Sequence, residues 1–342
     1  MDPQKYRKFP NFPLAELHAH LAASINPAIY WQIAHDSGFK LPTKDFHEFI
    51  SYITLSPEKK KTMKSYFDEI YHPLLDKLSS GTFALEKAVY EIMSGAYRGG
   101  IELLELRGNP MKHNNNGEQD LDHIIMAMLR GMERAFLEYP TLSAGLIFCL
   151  DRQFSLSQNE IILEKALKYQ SRGIVGIDIA NYDTGMFHFK EYTKLFAKAK
   201  KSGLKITVHS GETDDTNDMW EALEFAKPAR IGHGIKAAYD KKLMQQLVKQ
   251  DVILEICPMS NLMTKAVKDI EELKFIIRTL VENNVKFTIN TDWPELIAGA
   301  HLWRQFQMLL SEKILSEEEL KKCNKIAYDS AFAPRGGLNA YL

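Results

Sequence analysis

Residues Ile174–His209, IVGIDIANYDTGMFHFKEYTKLFAKAKKSGLKITVH, decide the fold. Ile174–Ala180 and Leu204–His209 are short apolar runs rich in Ile and Val and bounded by Gly or Asn, as buried strands are. Between them, Tyr192–Lys201 carries its apolar residues at helical spacing and stops at Ser202-Gly203, a helix-ending signal. Strand, helix and strand in that order make one unit of a parallel sheet.

The same alternation extends in both directions. Ala15–Leu21, Ile101–Arg107, Ala144–Leu150, Val252–Cys257 and Lys286–Thr291 repeat the strand signature, and Arg230–His233 is a shorter instance. Leu121–Tyr139, Asp240–Lys249 and Glu271–Glu282 repeat the helical one, with a final helix over Ser316–Tyr328. Eight strands alternating with helices predict a (β/α)8 TIM barrel, one domain over residues 1–342. A doubly wound open sheet has the same local signals, but no GxGxxG or GxxxxGK[ST] follows a strand. The gap from about Ser24 to Arg98 is aromatic and helix-favouring, which predicts a helical insertion after strand 1 that acts as a lid over the C-terminal face.

Composition excludes several function classes. Of 342 residues, 45% are hydrophobic and 25% charged, so a folded chain is expected. With 43 Lys+Arg against 44 Asp+Glu there is no basic excess to grip a nucleic acid. No apolar run reaches the roughly 20 residues of a membrane span. The start, MDPQKYRKFPNFP, has no apolar leader, and Cys149, Cys257 and Cys323 form no paired framework, so a reducing cytoplasm is expected.

Polar residues collect where strands end. His18 and His20 sit two apart near the end of strand 1, so both imidazoles point into the barrel. His209 ends strand 5, His233 strand 6 and Asp292 strand 8, all at the face where barrel enzymes build their sites. Singly, each has a plain reading as core histidine, helix cap or turn. Together they would be an odd result of packing, because unpaired polar groups there cost free energy. Three imidazoles and a carboxylate suit Zn2+ or a similar first-row ion, which lowers the pKa of bound water toward neutrality. Glu212, three residues past His209, is either a solvated loop carboxylate or a proton shuttle at the pocket wall. His35, His47, His72, His113, His123, His188 and His301 read as ordinary helix or loop residues, and Cys257 as a buried strand cysteine. The cytidine-type deaminase pattern, HxE with PCxxC, is absent.

The runs LHAHL (17–21), HSGE (209–212), GHG (232–234), CPMSN (257–261) and NTDWP (290–294) together resemble the adenosine deaminase group of the amidohydrolase superfamily. RGNP at Arg107–Pro110, LIFCLDR at Leu146–Arg152 and IVGIDIA at Ile174–Ala180 are similar to its strands 2 to 4. The resemblance implies that His18, His20, His209 and Asp292 bind one Zn2+ per chain. It implies that Glu212 protonates the ring nitrogen beside the attacked carbon, and that His233 orients the zinc-bound water and helps deprotonate it. The implied substrate is a small aminopurine, attacked at C6 with release of ammonia and no organic cofactor. Strand 4 carries no Lys, which favours one metal over a bridged pair.

Three positions that would contact substrate depart from the adenosine pattern. Ala22 replaces an acidic residue serving the ribose 5′-hydroxyl, Asn181 a glycine meeting the purine N3, and Trp293 an Asp serving N7. Trp293 either offers an aromatic face or packs under the barrel rim. A substrate modified at N6 or on the ribose is therefore expected, and LHAHL followed by Ser24-Ile25 also resembles the N6-methyl-AMP deaminase branch. Hydrolysis of a non-purine ring or amide, and a catalytically silent metal-holding binding protein, remain alternatives. Glu212 and His233 speak against the latter, since metal binding alone needs neither.

Overall fold

The computed structural model describes residues 10–56, 63–115, 117–181, 187–212 and 215–341. Eight parallel strands follow one another in chain order: β1 (Leu14–His20), β2 (Ile101–Gly108), β3 (Ser143–Asp151), β4 (Ile174–Ala180), β5 (Lys205–Ser210), β6 (Arg230–His233), β7 (Ile253–Ile256) and β8 (Phe287–Ile289). The circuit from β8 back to β1 is made beyond the end of β8. There Ala19 bridges Asp292, with Asp292 N donating to His18 O at 2.8 Å and His20 N to Asp292 O at 3.0 Å. Three of the expected metal ligands, His18, His20 and Asp292, thus share the backbone seam of a TIM barrel.

The unit first read from sequence folds as expected. Thr193–Lys201 is α-helical and buries Leu195, Phe196 and Ala199. It ends where Gly203 takes a left-handed φ of +86°, which lets Leu204 N reach back to Ala199 O at 3.1 Å. Helices Leu121–Glu138, Lys241–Gln250, Ile270–Glu282 and Glu317–Ser330 match the other periodic segments, each capped by a preceding Asp or Ser.

Between β1 and β2 lie helices Pro27–Asp36 and Phe46–Ile53, a π-helical turn at Phe67–Leu75 and the long helix Thr82–Arg98. Residues 57–62 of the expected insertion lie outside the described residues. Thr82–Arg98 is not part of a lid. It buries Leu85, Ala88, Val89 and Ile92 and belongs to the outer ring beside Leu121–Glu138. The two helices cross closely at Gly131, where a Cβ would stand 2.5 Å from Glu86 O. Among the described residues, no helix is long and apolar enough to cross a membrane.

The barrel interior is unusually ionic. The Arg107 and Arg230 side chains are fully buried. Arg107 donates to Asp178 Oδ2 at 2.9 Å and Glu255 Oε2 at 2.8 Å, and Arg230 to Glu255 Oε1 at 2.7 Å and to Glu105. Burial alone would raise the carboxyl pKa of Glu255. The two guanidiniums more than offset it and hold Glu255 low.

Candidate metal and active site

The strand ends bring His18, His20, His209 and Asp292 together, one ligand atom from each lying within 4.8 Å of the others. His20 Nε2 and His209 Nε2 are 3.0 Å apart, and Asp292 Oδ1 is 3.3 Å from His20 Nε2 and 3.6 Å from His18 Nε2. Two of the rings are backed by carboxylates: His18 Nδ1 lies 2.8 Å from Glu255 Oε2, and His209 Nδ1 lies 2.8 Å from Asp178 Oδ2. The first contact is a hydrogen bond, which puts the His18 ring proton on Nδ1 and leaves its Nε2 as an acceptor facing the centre. His18 Nε2 is buried without a hydrogen-bond partner. Burial lowers the pKa of His18 and His20 well below the usual imidazole range, aided by Arg107 at His18 and by His209 at His20. Despite its burial, Asp292 is held at about 2 by His18 and, further, by Ser260, whose Oγ donates to Oδ2 at 2.6 Å.

The backbone pays for this convergence with left-handed residues. His233 (φ 61°), Asp292 (φ 63°) and Asn181 (φ 77°) all turn the chain sharply at a strand end, in a region that costs most residues about 1–2 kcal/mol. At 181 the conformation accounts for the glycine expected there, and Asn is among the side chains that tolerate it best. Gly232 must lack a side chain, because a Cβ would meet His18 Cε1 at 2.8 Å.

Glu212 and His233 stand beside the cluster, Glu212 Oε2 being 3.6 Å from His233 Nε2. Glu212 is not a free loop carboxylate: its Oε1 accepts from Thr264 Oγ1 at 3.3 Å and Asn261 Nδ2 at 3.4 Å. The same Asn261 amide meets His233 Nδ1 at 2.9 Å, so one side chain orients both. Arg152 braces the end of β5, donating to His209 O at 2.7 Å while gripping Asp218 with both nitrogens. Cys257 is fully buried and burial pushes its thiol up, in keeping with a packing cysteine.

A cavity of about 320 Å3 opens on the cluster. Ala22, Asn181 and Trp293 all line it. Trp293 is 8% exposed and packs against the inserted segment, with Tyr71 stacked on it at 5.2 Å and Phe67 edge-on at 5.4 Å. The indole thus lines the cavity and at the same time packs on the insertion. His72 and His113, read from sequence as ordinary, also line the cavity, because the insertion and the turn after β2 fold over it. Lys112, Asp151 and Arg152 line it as well, and no local spacing in the sequence marks them. The signal available for the deeper residues was a charge inside an apolar strand, as in Glu255 within Ile253–Ile256.

A family model described as adenosine deaminase matches residues 13–341. The adenosine deaminase of Shewanella denitrificans is 26% identical over 322 residues, covering 94% of this chain and 95% of that one. In three dimensions the chain is similar to the adenine deaminase of Arthrobacter aurescens (TM-score 0.82, 23% identity, 96% and 97% of the two chains covered). It is also similar to the N6-methyl-AMP deaminase of Arabidopsis thaliana (TM-score 0.78, 22% identity, 96% and 95% covered). These structural likenesses bear on the fold.

Proposed function

The chain belongs to the adenosine deaminase family, hydrolases of C–N bonds in cyclic amidines, and from that premise we propose that it removes the C6 amino group of an uncharged aminopurine, adenine or a nucleoside of it, using one zinc ion. The observation that carries the reading is the meeting of His18, His20, His209 and Asp292 beneath Glu212 and His233. The donor set fits such an ion: three imidazole nitrogens, two of them aimed by a carboxylate, one carboxylate oxygen, and an orphaned buried Nε2 on His18. When bound, zinc supplies a Lewis acid that makes water a nucleophile near neutral pH.

The chain's own groups supply the proton traffic. Addition of water across the C6–N1 bond needs a proton at N1, and Glu212, fixed by Thr264 and Asn261, is the group placed to deliver it. With Asn261 donating to its Nδ1, His233 carries its proton on Nε2, the nitrogen facing Glu212. In that tautomer it orients the attacking oxygen and stabilises charge developing there.

An uncharged substrate is favoured because the cavity's cations already have partners. Lys112 pairs with Asp151 at 2.6 Å, Arg152 with Asp218, and Arg107 with Asp178 and Glu255. A phosphate would find little net positive field among the described residues, which weighs against an N6-methyl-AMP-type substrate.

The test is ammonia release from adenine, adenosine, AMP and their N6-substituted forms by zinc-loaded protein. Turnover of the base or nucleoside above the nucleotides is expected. Glu212→Gln should lower kcat by about 100- to 10,000-fold while substrate still binds. Equal binding by both proteins with no turnover by either would identify a silent binding protein instead.

A further inference from the structure

Resting on the reading of an uncharged aminopurine substrate, we propose that Lys112, held in place by Asp151, determines specificity by binding a hydroxyl of the substrate's sugar. The metal ligands and Glu212 come from β1, β5 and β8. The cavity continues from them to the ends of β2, β3 and β4, the other arc of the barrel mouth. The cavity offers that arc to the substituent borne on the far side of a purine whose C6 meets Glu212 and the ligand cluster.

On that arc stands an ion pair, Lys112 Nζ to Asp151 Oδ2 at 2.6 Å, both residues lining the cavity. The Asp151 side chain is 4% exposed and tightly fixed. Its Oδ1 accepts from Gln153 N at 2.8 Å and Asn181 Nδ2 at 3.1 Å. Its backbone is held on both sides by Asn159, which accepts from Asp151 N and donates to Asp151 O, each at 2.8 Å. The carboxylate therefore cannot swing, and it anchors the ammonium. Lys112 keeps 30% of its side chain exposed, with more N–H donors than this one carboxylate uses.

The chemistry of the pair selects the group it binds. A hydroxyl both donates and accepts, and it finds here an ammonium donor beside a carboxylate acceptor in a pair of no net charge. A phosphate would meet the Asp151 carboxylate within hydrogen-bond reach of the ammonium. An apolar substituent would leave the ammonium without its remaining partners, the kind of loss by which sites reject analogues that lack a hydroxyl.

The experiment measures kcat/KM by ammonia release for adenosine, its 2′-, 3′- and 5′-deoxy forms and AMP, using zinc-loaded wild type and Lys112→Met. The wild type should lose about 10- to 100-fold on one deoxy substrate. Lys112→Met should lose a similar factor on adenosine and show no further loss on that same deoxy substrate. The double variant Lys112→Met, Asp151→Asn leaves no unpaired charge. It should show the same flattened selectivity and so separates the effect from misfolding. Equal losses on every nucleoside would reduce the pair to a tie between two loops and overturn the inference, as would a wild type indifferent to all three hydroxyls. A preference for AMP that vanishes with Lys112 would make it a phosphate reader. A wild type that turns over adenine but no nucleoside overturns this inference alone, while one inactive on every aminopurine overturns the functional reading beneath it.

Discussion

Glu295 shows how a single side chain outside the metal cluster can shape the behaviour of the fold. Burial pushes its carboxyl up to about 7, against an opposing hydrogen bond from Asn26 Nδ2 at 2.8 Å. The unfolded chain ionises this group near the ordinary carboxylate value, so between there and about 7 the folded state holds more protons than the unfolded one. The contribution to stability is thus complete at low pH and is lost as pH rises through about 7. Glu295→Gln, which mimics the protonated form, should gain about 1–3 kcal/mol over wild type between pH 5 and pH 8. Urea melts at the two pH values check this, and a constant difference would contradict it. Nothing in the sequence marks Glu295, because its burial comes from helices drawn in from distant parts of the chain. The meeting of His18, His20, His209 and Asp292 follows from strand period and strand ends, whereas roles for Glu212 and His233 come only from the family resemblance. Asn261, Asp178 and Glu255, which orient them, were not assigned, since their partners lie on other strands and no local spacing reports them.

At the scale of elements, strands and the outer helices follow from periodicity, capping and stop residues alone. β4 and β6 run over the residues expected, Ile174–Ala180 and Arg230–His233. β8 is shorter than its apolar run: Asn290 N still donates to Ile256 O at 2.8 Å, and the chain then turns toward β1 at Asp292. The insertion was legible as helical and not in its division, since a helix that covers the mouth and one that packs in the outer ring carry the same amphipathic pattern. The close element packing also sets a test. In β6, Gly232 is the one residue between Ile231 and His233, and any side chain there pushes into the His18 ring. Gly232→Ala should leave a folded barrel that binds zinc about 10- to 100-fold more weakly, as loss of support around a ligand does. Competition with a chromophoric chelator measures it, and unchanged affinity would show that His18 is not held where the strands put it.

For the whole molecule, the barrel acts as a rigid ring that turns eight separate strand ends into one site. Its centre is an ion network through Arg107, Arg230, Glu105, Asp178 and Glu255 in place of a wholly aliphatic filling. Such a network adds little net stability, but its directional bonds specify orientation. Here two of its carboxylates, Glu255 and Asp178, also stand behind His18 and His209 of the cluster. Fold and chemistry therefore share the same side chains. The most direct measurement of the account is zinc content per chain alongside the absorbance change that accompanies loss of the purine amino group, for wild type and His209→Ala. The account predicts one zinc and turnover in the wild type, with both lost in a variant that remains folded. A folded His209→Ala protein that keeps its zinc and still deaminates would contradict it.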